Sequence, residues 1–108
     1  MKKIIHIYCD KNNLEPFSQW LQSFKDKTIK ARLLNRLRRM EGGNLGYWKS
    51  VGEGVFELKM DFGSGYRIYF GEQNEQIIIL LSGGDKSTQR QDIMQAQNYW
   101  KDYKENLI

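Results

Sequence analysis

From residue 47 to residue 81 the apolar side chains recur at every second position, and glycines cut this stretch into lengths that suit β-strands and little else. The segments YWKSV (47–51), VFELKM (55–60), YRIYF (66–70) and QIIILL (76–81) read as four strands. Glycine-bearing turns separate them at residues 52–54, 63–65 and 71–74. Connections this short leave no room for a crossover, so the strands are expected to pair in sequence as an antiparallel meander. In the last of them IIILL (77–81) is apolar on both faces, which predicts a central strand covered from two sides.

Helical segments are the available cover. Residues 3–9, KIIHIYC, predict a first strand that Asn12 and Asn13 break. From Glu15 onward Phe17, Trp20, Leu21 and Phe24 fall at helical spacing, with Pro16 tolerated in the first turn. Ile29, Leu33, Leu37 and Met40 form a second helical stripe, which Gly42 and Gly43 end. Thr88 followed by Gln91 has the spacing of a capping box, and Ile93, Ala96 and Trp100 continue as one stripe of a C-terminal helix. The predicted order is β, α, α, four β, α in one α+β domain covering residues 1–108.

A chain of 108 residues buries roughly two thirds of its unfolded surface and folds without disulfides. Cys9 has no partner, and is expected as a reduced thiol packed like a small apolar side chain in the cytoplasm. MKKIIHIY is too short and too interrupted for a signal sequence, and no window approaches the ~20 apolar residues of a membrane span. One histidine and one cysteine do not make a usual zinc site, so no metal is expected and His6 reads as a core residue. Ser64 and Ser82 lack the histidine pattern of a hydrolase triad.

The charge points to anionic partners. The net charge is +4, and between Lys25 and Arg39 lie seven basic residues against the single acid Asp26. Arg32, Arg36 and Arg39 stand at i, i+4 and i+7, either as the solvated face of an amphipathic helix or as phosphate contacts.

Alternation groups further charges. Phe56, Leu58 and Met60 point one way while Val55, Glu57 and Lys59 point the other; in the next strand Tyr66, Ile68 and Phe70 alternate with Arg67 and Tyr69. A hairpin that unites the two apolar rows also unites Glu57, Lys59, Arg67 and Tyr69 on the opposite face. That group is either a solvated sheet face with cross-strand ion pairs or the floor of a site. In SGGDKS (82–87) the glycine pair could form an anion-binding nest beside Lys86, or the loop could be a turn in which Asp85 or Ser87 caps the helix. Trp48 and Trp100 are expected in the core, with Tyr47, Tyr66 and Tyr69 as candidate base-stacking surfaces.

Two motifs, GEGVFELKMDFGSGYRIYF and LLSGGDKSTQRQDI, resemble the addiction-module killer proteins of the RelE/ParE superfamily, phage-related toxins of bacterial type II toxin–antitoxin modules. The resemblance implies a RelE-like fold, with an N-terminal strand and two helices packed on an antiparallel meander and a C-terminal helix. It also implies a ribosome-dependent mRNA endonuclease that needs no cofactor and works by 2′-hydroxyl attack on the adjacent phosphate. On that likeness Arg67 stabilises phosphate charge, Lys86 and Lys49 supply electrostatic help or proton transfer, and Glu57 acts as base or orients Arg67. Lys59, Tyr66, Tyr69, Arg32, Arg36, Arg39 and Gln89 would contact RNA, and Asp92 falls within the motif.

The implied partners are the ribosome and mRNA, a small helix-turn-helix antitoxin, and operator DNA bound through that antitoxin. The sequence departs from the ribosome-cleaving members at its end, where DYKENLI carries no arginine after Arg90 and Tyr99 or Tyr103 is left as the candidate acid. Gyrase inhibition without RNA cleavage, or a basic interaction module without toxicity, are the alternatives.

Overall fold

The computed structural model describes residues 2–107. Its elements are β1 (Ile4–Ile7), α1 (Pro16–Gln22), α2 (Lys27–Glu41), β2 (Trp48–Gly52), β3 (Val55–Lys59), β4 (Arg67–Gln73), β5 (Ile77–Gly84), a 3-10 turn at Lys86–Thr88, and α3 (Gln89–Glu105). One five-stranded sheet runs in the order β1-β5-β4-β3-β2. Strands β2 to β5 form the predicted antiparallel meander. β1 joins β5 in parallel, a pairing that the intervening α1, α2 and meander make possible because the chain returns from the far edge. The α+β class and the element order are those the sequence predicts.

Register sorts the side chains onto two faces. Phe56 opposite Phe70 and Leu58 opposite Ile68 put the apolar rows toward α1 and α2, where they pack with Phe17, Leu33 and Met40. β5 lies between β1 and β4 with Ile78, Ile79, Leu80 and Leu81 all buried, as a strand apolar on both faces requires. α3 covers the other face through Ala96 and Trp100, which pack with Val55, Tyr69, Ile79 and Leu81. The face bearing Glu57 and Arg67 is therefore half roofed, and the solvated-face alternative does not describe it.

Several local expectations are corrected. β1 spans four residues, and both His6 and Cys9 are exposed: an edge strand has a neighbour on one side only, and Cys9 lies beyond its end. Trp48 is also solvent-facing, meeting Phe56 edge-on at the opposite margin of the sheet. Gly83 and Gly84 are the last residues of β5, and close packing explains them without a nest. A Cβ at Gly83 would lie 2.2 Å from the Trp20 ring, and one at Gly84 1.8 Å from an Asp92 carboxylate oxygen. The capping box is absent: Thr88 makes no side-chain cap and instead donates to Asp92 at 2.5 Å. Asp85 caps the 3-10 turn by accepting from the Ser87 amide at 2.8 Å. No helix among the described residues is long and apolar enough to cross a membrane.

The lone acid between Lys25 and Arg39 has a structural task. Asp26 is the N-cap of α2 and accepts from the Thr28 amide at 2.8 Å and the Ile29 amide at 3.4 Å. Asp26→Ala strands both donors, and urea unfolding should register a loss of about 0.5–2 kcal/mol.

Candidate functional site

Two cross-strand rows build the site on the α3 side of the sheet. Lys49 on β2 stands opposite Glu57 on β3, Glu57 opposite Tyr69 on β4, and Tyr69 opposite Ser82 on β5. One step along, Lys59 faces Arg67, and Arg67 faces Gly84. Tyr47 extends the second row, because the Lys59 amide donates to its carbonyl at 3.1 Å.

Glu57 is the hub. Its side chain is 2% exposed, and three residues from three elements converge on its carboxylate. Gln89, the first residue of α3, donates to Oε2 at 2.9 Å; Arg67 Nε stands 3.5 Å from the same oxygen; Lys49 Nζ stands 3.8 Å from Oε1. At 3.5 Å the arginine contact is an ion pair without a hydrogen bond, and Nε has no hydrogen-bond partner among the described residues. The Lys49 pair is weakened by water, since that side chain is 61% exposed. Arg67 is itself buried and is held by a 2.8 Å bond from Nη1 to the Gly65 carbonyl, while Nη2 makes no hydrogen bond among the described residues. Its guanidinium is fixed yet incompletely satisfied, as suits a group kept for an anion.

Other polar atoms under α3 are equally unsatisfied. The Tyr69 hydroxyl and Ser82 Oγ are buried without a partner among the described residues. Burial first, and then the Glu57 carboxylate, hold the Tyr69 hydroxyl well above the ordinary tyrosine range. Burial also pushes the Asp92 carboxyl up, against the hydrogen bond from Thr88. Asp85 moves the other way, lowered chiefly by the Ser87 hydroxyl.

Tyr47, Lys49, Glu57, Lys59 and Arg67 line a cleft of about 120 Å³. Tyr47 and Lys59 also border a second hollow of about 340 Å³, whose other walls include Arg32, Arg36 and Arg39 of α2 and Asp61. The two hollows adjoin at Tyr47 and Lys59 as a basic groove in two parts, one against the arginine face of α2 and the other at the buried Arg67–Glu57 pair.

The expected site residues divide on their surroundings. Glu57, Arg67, Lys49 and Lys59 come together. Lys86 is exposed on the rim, docked beside the 63–65 turn by a 3.4 Å bond from its amide to the Ser64 carbonyl. Arg32 lies over the Phe62 ring at 4.1 Å and Arg39 is exposed. Arg36 is half-buried and braces the next loop by donating from Nη2 to the Leu45 carbonyl at 2.7 Å. Gln89 spends its amide on Glu57, so its visible task is to clamp α3 to the hub.

The tyrosines need correction. Tyr69 is enclosed and offers no ring face to a base. Tyr66 packs among Trp20, Phe24 and Phe62 on the α1 side of the sheet, away from Arg67. Neither candidate acid is among the residues that converge on Glu57. Tyr103 donates to Gln73, which ends β4 six residues from Arg67, about 20 Å away at strand rise. Tyr99 stacks on Tyr8, whose hydroxyl is bonded to Asp102.

This arrangement has relatives. The family profile described as phage derived protein Gp49-like (DUF891) matches residues 19–101. The chain belongs to this family. An uncharacterized protein of Haemophilus influenzae is 49% identical over 81 residues, covering 75% of this chain and 82% of its own. The Gp49-like match contains both rows of the site, the whole groove and the Gln89 clamp, while β1 lies outside it.

Proposed function

We propose that this Gp49-like protein is the toxin of a type II toxin–antitoxin pair and acts as a ribosome-dependent endoribonuclease of the RelE kind. The observation that carries the reading is the two-part groove, with α2 arginines lining one hollow and the half-satisfied Arg67 guanidinium lining the hollow that adjoins it. Single-stranded RNA laid along the groove brings one phosphate to Arg67, whose Nη2 stabilises the charge that grows on the phosphorane. The 2′-oxygen attacks that phosphate and the bond to the 5′-oxygen breaks, giving a 2′,3′-cyclic phosphate and a 5′-hydroxyl. Glu57 Oε1, which makes no hydrogen bond among the described residues, accepts the 2′-hydroxyl proton, and the neighbouring Lys49 ammonium supplies one to the departing oxygen. Lys59 and Lys86 add positive charge at the rim. The cognate antitoxin, a small helix-turn-helix protein, covers the groove and carries the pair to operator DNA.

Purified ribosomes loaded with a defined mRNA test the reading. Cuts at codon-spaced positions that require ribosomes, leave cyclic phosphate ends and vanish when the attacking nucleotide is 2′-deoxy are the expected result. Intact mRNA together with inhibited DNA supercoiling supports the gyrase alternative, and neither effect, with normal growth on induction, supports the non-toxic module.

Salt gives an independent check on the groove. Each phosphate contact contributes about 0.7 to the log–log slope of affinity against salt for a single strand. Removing Arg32 and Arg39 together should therefore flatten that slope by about 1.4 in an RNA-binding titration.

A further inference from the structure

We infer that Tyr47 is a nucleobase-stacking subsite, seating the base next to the phosphate held by Arg67. The inference rests on the groove being an RNA site. Of the three tyrosines near the site, only this one presents its ring: it is 72% exposed, the most open large apolar side chain among the described residues, and forms no aromatic pair with any of them. It lines both hollows, so a base on its face lies between the α2 arginines and the Glu57–Arg67 pair.

The backbone beneath it is braced on both sides. Arg36 holds the Leu45 carbonyl, Asn44 Oδ1 accepts from the Gly46 amide at 3.0 Å, and the Lys59 amide binds the Tyr47 carbonyl at 3.1 Å. Gly46 has φ +66°, and a Cβ there would fall 1.5 Å from Arg36 Nη2, so the guanidinium fills the space a side chain would take. An aromatic ring left open to water on so fixed a backbone contributes little to the fold. Every base has a π-face, so such a platform holds RNA without reading its sequence.

The test uses the 108-residue chain and a short labelled 2′-O-methyl oligoribonucleotide, which lacks an attacking hydroxyl, alongside versions made abasic at each position in turn. Fluorescence anisotropy should show the unaltered protein losing affinity at one abasic position. Tyr47→Ala should bind the complete oligonucleotide about 5- to 150-fold more weakly and no longer distinguish the abasic one. Tyr47→Phe and Tyr47→Trp should keep near-normal binding, and circular dichroism should be the same for all three variants. Equal binding by Tyr47→Ala and the unaltered chain overturns the inference, as does the absence of any base dependence. Base-dependent binding without ribosomal cleavage would remove the nuclease reading and leave the subsite standing.

Discussion

Arg67→Ala is expected to slow ribosome-dependent cleavage by about 100- to 1,000-fold, the usual cost of removing one preorganised donor from a developing oxyanion. No neighbour can take over. Lys59 and Lys49 are exposed ammoniums on long flexible stems, whereas Arg67 is buried and held through Gly65 and Glu57. The substitution also leaves Glu57 buried with one cation fewer. Breaking such a pair costs about 3–5 kcal/mol where nothing else compensates. With Lys49 and Gln89 still in contact, the loss here should fall at or below the lower end of that range. Glu57→Gln in the Arg67→Ala background removes the stranded charge and should recover most of the stability with none of the activity. Urea unfolding and cleavage rates measured on the same preparations separate the two roles. An Arg67→Ala protein that cleaves at the normal rate would show that the centre lies elsewhere.

Trp100→Ala should cost about 3–5 kcal/mol, a large share of the stability of a domain this small. Trp100 is 6% exposed and stacks on Tyr103 at 5.4 Å between ring centres. It lies so close to β4 that a Cβ at Gly71 would be 2.4 Å from its ring. This contact seats the whole of α3, including Gln89 at its first residue, so cleavage should fall along with stability. Gly71→Ala should cost about 1–3 kcal/mol by overpacking. In the Trp100→Ala background that penalty should disappear, because the ring that caused it is gone. Additive losses in the double variant, measured by denaturant unfolding, would mean that the close approach does not set the position of α3.

Much of the site was legible before the fold. Strict alternation in β3 and β4 leaves one register that keeps the phenylalanines and leucines inside, and this register puts Glu57, Lys59 and Arg67 together. Lys49 entered through the family resemblance alone, and the structure sets it across from Glu57 on β2. The role of Gln89 was hidden, because it depends on α3 beginning above Glu57, more than thirty residues away in sequence. The tyrosines were hidden for a related reason. Alternation assigns each to a face, but burial depends on what lies over that face: Phe24 and Phe62 over Tyr66, α3 over Tyr69, and water over Tyr47.

The sequence by itself determined the elements, their order, the antiparallel meander and the face on which each charge stands, since periodicity and turn chemistry are local properties of the backbone. Only the tertiary structure decided that β1 lies parallel beside β5, that α3 roofs half of the charged face, and that Gly83 and Gly84 admit Trp20 and Asp92 without cradling an anion. Those outcomes depend on which distant surfaces fill each other's space, and no local pattern encodes the shape of a remote partner.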